Sequence, residues 1–129
     1  MDVTKAAERL RWFNENRHQQ WTLGSWDTEY VACLTKCAAA YLAEHPADDA
    51  EPIDGPWLRS VGAVKEDHPD KWTFRREDAL DVGLWHVDDG WKAMLLYGEC
   101  AASCIRRGLK TRGDVRRLAA ALGIQLATP

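Results

Sequence analysis

The stretch Pro46–Pro56 constrains this chain most. It holds three of the five prolines together with Asp48, Asp49, Glu51 and Asp54, and proline fixes φ while withholding a backbone donor. Regular structure cannot run through it, so it reads as a long exposed acidic loop. The whole chain has 129 residues, within the roughly 100–200 expected of a single domain. Its 46% hydrophobic and 29% charged residues lie near globular averages, which excludes collagen, coiled-coil rods and disordered tails.

On the N-terminal side of the loop, Val3, Ala6, Leu10 and Phe13 recur at spacings of three and four, the mark of one buried helical face. This predicts a helix from Val3 to Arg17. The run from His18 to Trp26 breaks the period and reads as a loop with Gly24 as its turn residue. Asp27 suits the N-cap of a second helix, whose stripe is Tyr30, Leu34, Cys37, Ala38 and Tyr41 and whose end is Pro46.

Beyond the loop, Trp57 to Val64 fits a strand or a helical turn equally well. Phe74, Ala79, Leu80 and Leu84 are compatible with a short helix opened by Thr73. Asp88 or Asp89 then reads as the cap of a helix carrying Trp91, Met94, Leu95, Ala102 and Ile105, with Gly98 as a kink. The last helix has the clearest signals. Thr111 and Asp114 match a capping box, Val115, Leu118, Ala119 and Leu122 form its stripe, and Gly123 is the stop. The expectation is a mainly α domain, residues 1–129, of about five helices.

The net charge of -3 is the remainder of an internal division. Residues 1–43 carry five basic and five acidic side chains, residues 44–90 five and thirteen, and residues 91–129 seven and two. An acidic middle and a basic end complement one another if the fold joins them. No apolar run approaches the roughly 18 residues of a membrane span. The N-terminus lacks the basic segment and apolar core of a signal peptide, so a cytoplasmic protein is expected.

The four cysteines form two Cys-x-x-x-Cys pairs, Cys33 with Cys37 and Cys100 with Cys104. On helices, such pairs hold their Cβ atoms about 5–6 Å apart, too far for a disulfide, which wants about 3.8 Å. Two such helices side by side present four thiols, to be read as packing, as a zinc or other metal site, or as redox partners. The four histidines are scattered; His86 beside Asp88 and Asp89 is the most site-like of them.

The basic end, Arg106, Arg107, Lys110, Arg112, Arg116 and Arg117, invites a nucleic-acid test. Only six residues follow Gly123, too few for a recognition helix to enter a groove, so nucleic acid is the disfavoured partner. Of the seven tryptophans, Trp12 and Trp91 read as core. Trp21, Trp26, Trp57 and Trp72 fall in or beside loops and are candidates for contact with another protein, since Trp is enriched among interface hot spots. No nucleophile elbow, phosphate loop or dinucleotide fingerprint occurs.

Two stretches carry a resemblance. Gln20-Trp21, Trp26 and the run Cys33-Leu34-Thr35-Lys36-Cys37-Ala38-Ala39-Ala40-Tyr41-Leu42 resemble a pattern in a family of short uncharacterised actinobacterial and actinobacteriophage proteins. Ala79 to Leu84 followed by Leu95-Leu96-Tyr97 is similar to a later Leu-Gly-Leu and Leu-Phe segment of that family. The Cys spacing here is one residue shorter, and Ala40 and Tyr41 stand for Gly and Trp. The resemblance implies a small, mainly helical cytoplasmic protein, made by a phage in its host or by the host itself.

The leading expectation is a non-enzymatic protein-interaction module without a cofactor, in its narrowest form a phage factor that binds and modulates a host protein. A homo-oligomer is a further expectation. The alternatives are a metal-binding or redox protein built on the cysteines, and nucleic-acid binding through the basic end.

Overall fold

A computed structural model of the chain describes residues 2–16, 25–46, 49–67, 71–76, 80–97 and 100–128, with the side chains of 25–28, 80, 97 and 100–102 outside the description. Two helices lead, α1 (Val3–Glu15) and α2 (Ser25–Glu44), followed by a short α3 (Gly55–Ser60). Five strands follow in chain order: β1 (Val64–Lys65), β2 (Lys71–Phe74), β3 (Leu80–Val87), β4 (Gly90–Tyr97) and β5 (Cys100–Leu109). They form one antiparallel sheet in the order β1-β2-β3-β4-β5, and α4 (Arg112–Leu122) closes the chain.

The sheet overturns the expectation of a mainly α domain of about five helices; four helices occur among the described residues. In the span expected as a helix from Thr73 to Leu84, Thr73 and Phe74 belong to β2 and Leu80 to Leu84 to β3, and where the helix carrying Trp91 to Ile105 is expected, β4 pairs with β5. The physical reason lies in the register. Trp72, Leu84 and Ala93 stand opposite one another across three strands, as do Phe74, Val82 and Leu95, and all six are buried. Their period along each strand is two, which carries every apolar group to one face. Asp88 and Asp89 cap nothing; they form the tight turn between Val87 and Gly90, whose φ of 122° suits glycine.

The signals for the first and last helices correspond to structure. Asp2 caps α1 through Lys5 N–H. Helix α2 begins at Ser25, which leaves Asp27 in its first turn instead of at its cap. Thr111 and Asp114 form the capping box of α4, and Gly123 takes the left-handed conformation at its end. Helix α2 packs against α1, α4 and β5. One core cluster joins Phe13, Tyr30, Leu34 and Leu118 to Val82, Leu84 and Leu95 of the sheet.

The opposite face of the sheet is built around Gly83. A Cβ there would stand 2.7 Å from the Trp85 ring and 2.9 Å from Leu96, so the indole lies in the space glycine leaves. Lys71 and Lys92 approach that ring at 4.7 and 6.0 Å. No helix among the described residues is long and apolar enough to cross a membrane.

Candidate protein-interaction edge

The acidic loop and the basic end do meet, and their meeting sorts the cations into two groups. Glu51–Ile53 lies antiparallel to Lys110–Arg112: Arg112 N–H donates to the Glu51 carbonyl and Ile53 N–H to the Lys110 carbonyl, with a bridge between Pro52 and Thr111. That places the Arg112 guanidinium between two carboxylates, donating to Glu51 at 2.9 Å and to Asp54 at 3.0 Å, with its Nε on the Pro52 carbonyl. Arg112 and Arg116 both approach the Trp57 ring, at 5.4 and 5.6 Å. Asp54 also caps α3 through Trp57 N–H.

Asp49 accepts from Gly113 N–H at the start of α4 and faces Arg116. Partial burial works against its charge. The Thr111 hydroxyl, the Gly113 amide and Arg116 more than offset that and hold the carboxyl below the ordinary aspartate value. Negative charge is also favourable at a helix N-terminus.

Arg106 and Arg107 have a different setting. Both are exposed on β5, and Arg107 has only a 3.6 Å approach to Asp89, each side chain more than half exposed. In a regular strand two successive side chains point to opposite faces, one of them into the core. Strand β5 escapes this through three register shifts against β4, which place ten residues, Cys100–Leu109, opposite Trp91–Tyr97. Each extra residue is a bulge that re-aims the side chains after it. Ile105 and Leu109 turn into the core while Cys104, Arg106 and Arg107 all reach solvent.

β5 ends the sheet order and, among the described residues, pairs with β4 alone. Its other edge carries no strand among those residues. Beside that edge, where α2 packs over β5, lies a groove of about 510 Å³ whose walls include Ala32, Lys36, Ala39 and Ala40 of α2 and Ser103 and Ile105 of β5. The Thr35 hydroxyl donates to Ser103 Oγ at 3.0 Å and ties the helix to the strand. A second cleft, about 480 Å³, opens between Leu10, Tyr30, Arg75, Arg76 and the segment after α4.

The residues singled out from sequence fall in several places. Trp57 and Trp72 are buried in the core; Arg59 and Lys65 cover Trp72. Trp26 lies on α2 with its side chain outside the description, and Trp21, Gly24, His18, His68 and Gly98 lie outside the described residues. Cys33 and Cys37 are on α2, but Cys100 and Cys104 are on β5. The expectation of two helical cysteine pairs is therefore corrected: positions four apart on an extended strand are not one helical turn from each other.

Burial pushes the thiols of Cys33 and Cys37 up, Glu29 and Cys37 adding to the effect at Cys33. Both thus favour the protonated form. No group of three or more metal-ligating side chains occurs among the described residues. Lys110 is exposed and Arg117 half-buried. His86 leans on Trp91 at 4.9 Å, and Asp88 and Asp89 occupy the turn beyond it.

What sequence reasoning missed is the edge itself. The sheet that carries it had one signal, Asp88-Asp89-Gly90, the β3–β4 turn between two apolar runs. No protein-family model matches the chain, and no curated protein or solved structure is detectably similar to it.

Proposed function

We propose that the chain is a non-enzymatic protein-interaction module whose partner docks along the edge of β5. One observation carries this reading: a ten-residue strand pairs on one side only among the described residues and runs beside a groove walled by the small side chains of α2. An unpaired edge is a row of backbone donors and acceptors suited to receiving an extended segment, and pockets beside it select the segment's side chains. The cysteine alternative has less support, with Cys33 and Cys37 on α2 but Cys100 and Cys104 on β5 instead of on a second helix beside it. Nucleic-acid binding also has less, because Arg112 and Arg116 are engaged by carboxylates of the chain itself.

The test is selection of random twelve-residue peptides on the immobilised protein, with amide chemical-shift mapping of the selected peptides. Shifts confined to Thr35–Ala40 and Ser103–Arg107 support the reading. Shifts centred on the cleft of Tyr30, Arg75 and Gln125, or selection of no peptide, contradict it.

A further inference from the structure

We infer that the segment received by β5 is an extended strand alternating apolar and acidic side chains; this deepens the proposed function and rests on it. The first argument is charge. Lys36 lines the groove, Arg106 and Arg107 stand exposed on the strand, and among the described residues no Asp or Glu contributes to the groove walls. The Asp89 carboxylate near Arg107 is 3.6 Å away on an exposed turn, a pairing weak enough to be exchanged for another. Among the described residues Arg106 has no ion-pair partner.

The second argument is shape. A strand added to an edge sends alternate side chains to opposite sides. On the α2 side they meet Ala32, Ala39, Ala40 and Ile105, a mostly apolar trough with Lys36 in its wall, whose alanines leave room for a branched or aromatic group. The remaining side chains face solvent among the cations of β5. Apolar residues thus suit one set of positions and carboxylates the other.

The same charges argue against a second copy as the occupant. Two β5 edges laid together would bring four arginines onto one short ladder, where like charges destabilise pairing. Edge strands are commonly kept from self-association in this way. What repels a copy of β5 attracts an acidic strand.

The experiment uses three labelled nine-residue peptides that alternate Val with Glu, Gln or Lys, titrated by fluorescence anisotropy with amide shifts to locate them. The Glu peptide is expected to bind at least tenfold tighter than the Gln peptide at β5, with an affinity that falls as salt rises. The double variant Arg106→Glu/Arg107→Glu is expected to prefer the Lys peptide, and Lys36→Glu on α2 to shift the preference the same way.

Equal binding of the Glu and Gln peptides at β5 overturns the acidic preference and leaves the docking edge standing. Failure of all three to shift any β5 amide overturns the docking edge as well. A concentration-dependent dimer with β5 amides protected in the absence of peptide assigns the edge to a second copy. An oligothymidylate that displaces the Glu peptide and binds tighter assigns it to nucleic acid. Either of these last results overturns the inference.

Discussion

Arg112 and Arg106 lie six residues apart in one basic run, and the fold treats them oppositely. Arg112 is only 23% exposed, with Glu51, Asp54 and the Pro52 carbonyl around its guanidinium and Trp57 beneath it. Arg106 stands in solvent on a bulged strand. The acidic loop thus engages Arg112 and Arg116 on the helix and leaves Arg106 and Arg107 on the strand to solvent. Net charge alone hides this, because the cations that hold the fold and the cations open to a partner carry the same sign.

Reversing the charge at each end separates the two roles. Arg112→Glu removes three hydrogen bonds and sets a third carboxylate against Glu51 and Asp54. It is expected to lower the unfolding free energy by about 2–3 kcal/mol in urea titrations, a value already discounted for the exposure of both carboxylates.

At the start of α4, Thr111→Ala removes the hydroxyl that accepts from Asp114 N–H. A loss of about 1 kcal/mol, read from the same titrations, is the ordinary cost of losing such a cap.

Asp49 makes the junction sensitive to acid. Its folded carboxyl titrates below the ordinary value, so its contribution is fully present above that value, about 3.9. It is lost as pH falls from there through the lower folded value. Asp49→Asn should therefore melt below wild type at pH 7, and the gap should narrow in thermal melts as pH falls below about 3.9. A gap independent of pH would place the Asp49 contribution in packing and not in charge.

At the other end, Arg106→Glu/Arg107→Glu should leave stability within about 0.5 kcal/mol of wild type, as surface changes do, while abolishing the preference for acidic peptides. Loss of several kcal/mol in this variant would show that β5 uses its arginines as α4 uses its own.

The helices were legible because their signals are local. Thr111, Asp114 and Gly123 act within one turn of their own position, and the stripe from Val115 to Leu122 needs no partner to be recognised. The sheet was not, since its evidence is spread over strands that meet only in the fold. Trp91-Lys92-Ala93-Met94-Leu95-Leu96-Tyr97 satisfies a helical and a strand period alike.

Strand β5 conceals itself further, because its bulges carry Ile105 and Leu109 to the core four residues apart, the spacing of a helix. Read as a strand, the segment would have stood last in a meander, with its edge open. The charge division was visible in full. Which arginines it consumed depended on the register of Glu51–Ile53 with Lys110–Arg112, a contact across some sixty residues that no local pattern encodes.

Amide hydrogen exchange along β5, measured with and without the Val-Glu peptide, tests the open edge most directly. Without peptide, the amides on the side away from β4 between Ser103 and Arg107 should exchange fast while those bonded to β4 exchange slowly. Peptide should slow the fast set and leave β3 unchanged. Fast exchange that the peptide does not slow, or protection of both sides before it is added, would contradict an edge open to a partner.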